Sequence, residues 1–291
     1  YRSYNRKIFK IRFFVFIMSI ELLVTSPKKG SNPGGLCRIN DGKNQFDAYF
    51  KYVIGSKIPR KYSVLEADHQ PVYEAITFEL ARRIGLKTPL FYVLLNNHGD
   101  VKISDSRRLS GGDHSGRKYY FVSRVIEESK TDKQDLNQFG EGVVNMERPY
   151  LELLQIEDIL GVRQNYIVDL EANSVYYVDL GCSFVHAKSG FIYFPNRLRR
   201  INHGPKDRKK DKCHLKNKSI IKSDNVGDSV NLGKIISNFE NITIPVLNPS
   251  GRVKVSNLLN ANEIGEIKEY IAHGFCENLK SLAEKRILIT G

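Results

Sequence analysis

Cysteine is scarce: Cys37, Cys182, Cys213 and Cys276 stand far apart among 291 residues and form no C-x-x-C pair. This excludes a disulfide scaffold and a zinc finger, and it fits a reducing compartment. No run of 18 or more apolar residues occurs, which removes a conventional helical membrane span. There is no internal repeat. The histidines His69, His114, His186, His203 and His214 hold no ligand spacing, so each is expected on the surface or in the core rather than on a metal. Acidic residues fall short of basic ones, 32 against 45, leaving a net charge of +13. The excess is local. Residues 1–17 carry Arg2, Arg6, Lys7, Lys10 and Arg12 with no acid, and residues 197–222 carry eleven Lys or Arg against Asp207 and Asp211. What remains is a near-neutral globule with two basic segments, so whatever partners the charge is local as well.

Apolar residues at 41% and charged residues at 26% are ordinary globular values, so a packed core is feasible. The length admits one large domain or two modest ones. Residues 1–26 read as a segment outside the core. Basic residues precede Phe13-Phe14-Val15-Phe16-Ile17-Met18 in the manner of a signal peptide, but the apolar part is short and no A-x-A-like cleavage site follows. Met18 reads instead as a natural beginning, with secretion as the alternative.

From Pro27 to Gly35 glycine and proline are dense, and the alternation of Phe46, Ala48, Phe50, Tyr52 and Ile54 then predicts a half-buried strand. Pro71 suits a first helical turn. Val72, Ala75, Ile76, Leu80 and Ile84 form a helical stripe stopped by Gly85. Strand-like runs follow at 90–95 and 118–126. The second half reads as a helix over 150–160, a short hairpin of 166–169 with 174–178, a charged loop at 197–222, and a closing amphipathic helix on Ile264, Ile267, Ile271, Phe275, Leu279 and Leu282.

Four positions gain meaning together: Lys51 on the first strand, Glu74 on the helix, Asn165 before the hairpin and Asp179 opening Asp-Leu-Gly after it. A nucleoside triphosphate needs a lysine on its phosphates, a carboxylate to hold that lysine, and hard oxygen ligands for Mg²⁺. Gly181 gives the backbone freedom beside such a metal. Lys51 points away from Phe50 and Tyr52 because strand side chains alternate. Glu79 is the rival partner for Lys51. Gly34-Gly35 is a candidate phosphate loop, though P-G-G lacks the spacing of a nucleotide fingerprint.

The run from Glu74 to Pro89, with E-x10-G-L-x-x-P and Leu80-Ala81 inside it, resembles the Glu-bearing helix of HipA-type kinases. Tyr177-Val178-Asp179-Leu180-Gly181 resembles the metal-binding DFG-type motif, and Arg163-Gln164-Asn165 resembles the end of the kinase catalytic loop. The resemblance spans roughly residues 27–195 and is similar in flavour to bacterial effector kinases of the Legionella type, among which activation by host inositol hexakisphosphate is a theme. It implies an α+β, two-lobed protein-kinase-like fold, with a small mixed lobe at 27–128 and a larger, mainly helical lobe at 129–291 that carries the basic insertion 197–222. It implies ATP with Mg²⁺ or Mn²⁺ in the cleft. Lys51 would sit on the phosphates, Glu74 would orient it, and Asn165 and Asp179 would hold metal. The strand over 120–125 would lead into the hinge that carries the adenine. A bacterial cytoplasmic protein delivered into a host cytosol is the matching location, with a host protein as substrate.

One position departs from the pattern. The catalytic Asp of such kinases lies five residues before the metal-binding Asn, and here that residue is Leu160. Asp158 is the candidate replacement. Phosphoryl transfer draws most of its rate enhancement from positioning and electrostatics, so a kinase and a catalytically impaired pseudokinase, acting as a phosphoinositide- or protein-binding module, both remain open. In the basic segment, Arg197, Arg199, Arg200, Arg208, Lys209 and Lys210 are candidates for an inositol polyphosphate or an anionic lipid headgroup, since several charge-assisted contacts can order a loop. Nucleic acid is disfavoured because no stacking aromatics follow Tyr193 and Phe194.

Overall fold

The structure is a computed structural model that describes residues 19–27, 33–52, 66–96, 99–105, 116–153, 165–180, 238–248 and 250–268. These residues form a mixed α/β arrangement dominated by one large sheet. The strands in chain order are β1 (Ile20–Pro27), β2 (Gly34–Asn40), β3 (Gln45–Lys51), β4 (Phe91–Leu95), β5 (Val101–Ser104), β6 (Tyr119–Arg124), β7 (Tyr166–Asp169), β8 (Ser174–Tyr177), β9 (Thr243–Asn248) and β10 (Ser250–Lys254). The helices are α1 (Gln70–Arg83) and α2 (Lys133–Leu153), with a further helical run at 261–268. Eight strands join in the order β10-β9-β4-β6-β3-β2-β1-β5, and β7 and β8 form a separate hairpin. The large sheet is mixed: β1–β5 and β4–β9 run parallel and its other pairs antiparallel.

Alternation builds the centre of the sheet. On β3, Ala48 and Phe50 are buried in one cluster with Tyr52, Ile20 and Leu22 of β1, and Cys37 and Ile39 of β2. Cys37 is a small apolar filler there; burial and the nearby Asp47 carboxylate push its thiol up to about 12, so it is inert as a nucleophile. The β2–β3 turn is set by Asp41, whose Oδ1 accepts from the backbone N–H groups of Lys43 at 2.8 Å and Asn44 at 2.6 Å.

The opposite face holds the larger core. Phe78 of α1 sits between Phe91 of β4 and Phe121 of β6, with ring centroids 5.2 and 5.0 Å away. The same cluster takes in Leu136, Val144 and Leu151 of α2, Val168 of β7, Val175 and Tyr177 of β8, and Ile244 and Val246 of β9. One apolar body therefore connects sheet, α1, α2 and hairpin, which fixes the hairpin end relative to β3. At Gly140 a Cβ would meet the Tyr166 ring at 2.5 Å, so glycine lets α2 approach β7 closely.

Several expectations are corrected. Residues 20–26, expected outside the core, belong to β1, where Ile20, Leu22 and Val24 are buried. The punctuated stretch after Pro33 is strand β2 rather than loop from Gly34 onward. Over residues 150–153 the expected helix is the end of a longer one that begins at Lys133, and residues 154–160 lie outside the described residues. β9 and β10, from the second half of the chain, return to the large sheet beside β4. The described residues of 129–291 hold α2, the helical run at 261–268 and four strands. Parallel pairing of β9 with β4 is a long-range event that no local pattern announces.

Candidate active site

β3 ends at Lys51, and alternation turns this side chain away from Phe50 toward α1 and the Phe121 ring, whose centroid lies 5.6 Å from Nζ. Its antiparallel partner is Gly34. A Cβ on Gly34 would lie 1.9 Å from the Phe50 carbonyl oxygen, and the backbone there has φ +149. Only glycine lets β2 pass this close to the root of Lys51. Gly34 and Gly35 are thus strand residues beside the lysine.

Lys51 is buried, 6% exposed, and so is Glu74 at 3%. The Lys51 ammonium donates to Glu74 Oε1 at 2.5 Å and to Asp179 Oδ1 at 2.7 Å. An amine from the first half of the chain, a helix carboxylate and a carboxylate from the end of the hairpin therefore meet at one point. Burial alone would lower the lysine's pKa, but the two carboxylates more than offset it and hold the amine firmly charged. α1 is buried nearly all round from Pro71 to Ala81 rather than along one stripe, which is why a carboxylate at position 74 can be carried deep inside. The rival Glu79 is engaged elsewhere, with Arg83 Nε at 2.8 Å and Arg252 of β10 at 2.8 Å.

Asp179 lies just past β8 in the left-handed region, φ 58. A non-glycine residue is uncommon there, and such residues cluster at functional sites. Asn165 lies beside it. Tyr166 is in register with Tyr177, and the Asn165 carbonyl accepts from Val178 N–H at 2.9 Å. Asp179 and Asn165 thus share the open end of the hairpin. A carboxylate and an amide oxygen are donors of the hard type that Mg²⁺ and Mn²⁺ take, so the residue set fits such an ion. Asp158, Leu160, and Arg197, Arg199, Arg200, Arg208, Lys209 and Lys210 lie outside the described residues.

A second polar group went unread in the sequence. His69 Nδ1 contacts Glu263 Oε1 at 2.7 Å, the Tyr73 hydroxyl donates to the same oxygen, and Glu263 is fully buried. The signal was present as Asn260-x-x-Glu263, a capping pair: Asn260 Oδ1 accepts from Glu263 N–H at 3.0 Å and Glu263 Oε2 from Asn260 N–H at 2.9 Å. His69 Nε2 faces Glu66 at 3.7 Å. Its two ring nitrogens therefore address different carboxylates, and one ligand atom from each of Glu66, His69 and Glu263 lies within 4.8 Å of the others.

No protein-family model, no curated protein and no solved structure matches this chain.

Proposed function

We propose that this chain is an ATP-dependent phosphotransferase with a two-lobed, protein-kinase-like site that transfers the γ-phosphoryl group of ATP to a protein hydroxyl. The observation that supports the reading is the meeting of Lys51 with both Glu74 and Asp179. A buried ammonium held by two carboxylates is a costly arrangement unless it is used, because an apolar trio would pack there at less risk. In the proposed site Lys51 turns its charge to the phosphates, and Glu74 keeps it extended from β3. Gly34 and Gly35, at the root of Lys51, are proposed to lie beside the phosphates. Asn165 and Asp179 would hold Mg²⁺ or Mn²⁺, and the bound ion supplies neutralisation of phosphate charge. Asp158 is proposed to orient the acceptor hydroxyl in place of Leu160.

The second reading, a pseudokinase that binds a phosphoinositide or a protein without catalysis, is favoured by Leu160 alone. Incubation with radiolabelled ATP and Mg²⁺ or Mn²⁺ separates the two. Label on the chain or on a protein acceptor supports the kinase. Nucleotide binding without label supports the module, and absence of both overturns the nucleotide site.

The basic insertion 197–222 is proposed to take inositol hexakisphosphate or an anionic headgroup, in keeping with an effector acting in a host cytosol on a host protein. A ligand at a hundred times its Kd stabilises by about 2.7 kcal/mol, so inositol hexakisphosphate is expected to raise Tm by several degrees. A Tm that stays constant through the titration rules this activator out.

A further inference from the structure

α1 delivers Glu74 to Lys51, so whatever fixes the rotation and depth of α1 fixes that pair. Two polar contacts on α1 come from the far end of the chain. Arg252 of β10 reaches Glu79, and Glu263, at the start of the run 261–268, reaches the first turn. His69 is the N-cap residue of α1, but its side chain makes no cap bond to its own helix; it contacts Glu263 instead. Tyr73 directly precedes Glu74, and its hydroxyl both donates to Glu263 and accepts from Glu66 N–H at 3.0 Å.

We infer that Glu263 is a positioning residue, which holds α1 so that Glu74 meets Lys51; this rests on the reading of that pair as the phosphate grip. Neighbouring helix residues differ by about 100° of rotation and 1.5 Å of rise. Any slip of α1 that parts Tyr73 from Glu263 therefore swings Glu74 away from Lys51. A hydrophobic contact tolerates such a slip, while a hydrogen bond to a fully buried carboxylate fails within a fraction of an ångström. Burial alone would favour the neutral acid at Glu263, but His69, Tyr73 and Asn260 together hold it ionised. The charge strengthens this directional contact, which apolar packing does not supply.

The test reads the Lys51–Glu74 pair itself. Acetic anhydride acylates only the neutral amine, so Lys51 in the wild-type chain should react far more slowly than exposed Lys102. Tyr73→Phe and Glu263→Gln should raise Lys51 acetylation roughly tenfold, the effect of one pKa unit on the neutral fraction. Glu74→Gln should do the same, and adding Tyr73→Phe to it should change nothing more. Buried Cys37, in the other core, is the control for general opening. Lys51 acetylation at the wild-type rate in both single variants overturns the inference, as does a Cys37 thiol whose reactivity rises in step with Lys51. No nucleotide is needed, so a chain that binds no Mg-ATP overturns the phosphate-site reading without altering this result.

Discussion

Replacement of Lys51 by methionine is expected to lower stability by about 3–5 kcal/mol at neutral pH, the cost of removing one partner from a buried ion pair. Methionine fills much of the same space, so the loss is electrostatic rather than a cavity. It removes the ammonium that Glu74 and Asp179 share. The pH dependence distinguishes this cause. In the wild-type chain the Lys51 amine has its pKa raised on folding. Its contribution is complete below the unfolded value near about 10.4 and is lost only as pH rises through the folded value. It is therefore constant between pH 5 and 8. In the variant, burial of Glu74 without the Lys51 ammonium is expected to favour its neutral acid, so the penalty is complete at neutral pH and shrinks as pH falls. Urea midpoints should show the gap between the two proteins narrowing toward pH 5. An equal gap at pH 5 and pH 8 would mean that Lys51 is not held by ionised carboxylates.

Asp179→Asn should do the reverse, sparing the fold while removing chemistry. Asparagine tolerates the left-handed backbone at φ 58, and its amide oxygen still accepts from Lys51, which keeps Glu74 as its charged partner. Tm should stay within a few degrees of wild type. On the proposed phosphotransferase function, transfer from ATP should fall by roughly a hundredfold or more, the usual scale for loss of a preorganised charged group at a reacting centre. Asp179→Ala should lose transfer equally but also stability, since alanine in that conformation costs roughly 1–2 kcal/mol. Label that persists in the asparagine variant would place the chemistry elsewhere or in a contaminating enzyme.

The resemblance carried by Glu74 to Pro89 and by Asp179-Leu180-Gly181 singled out Glu74 as the holder of Lys51 and Asp179 as a metal ligand, and the fold brings both carboxylates within 2.7 Å of that lysine. That much was legible because α1 and the β7–β8 hairpin are local structures whose patterns lie within one stretch of chain. Glu79 against Glu74 was less clear. Helical phase placed Glu79 in the stripe and the family spacing favoured Glu74; the Lys51–Glu74 contact, with Glu79 taken by Arg83 and Arg252, decides for Glu74. β9 and β10 were missed even though Ile242, Ile244 and Val246 alternate, because a pattern of period two does not say which edge it will join. β1 was set aside because a basic, signal-like stretch precedes it, although Ile20, Leu22 and Val24 alternate as strands do.

From its order of residues alone this protein determined where the hairpin turns, which side of β3 bears the lysine, and that α1 carries Pro71 in its first turn and ends before Gly85, since these follow from steric preferences within a few neighbours. Tertiary structure decided that Glu263 reaches Tyr73, that β9 lies along β4, and that three charged groups share one buried point. Such contacts join segments that sequence distance separates, and they are selected by the packing of the whole apolar body rather than by any local propensity.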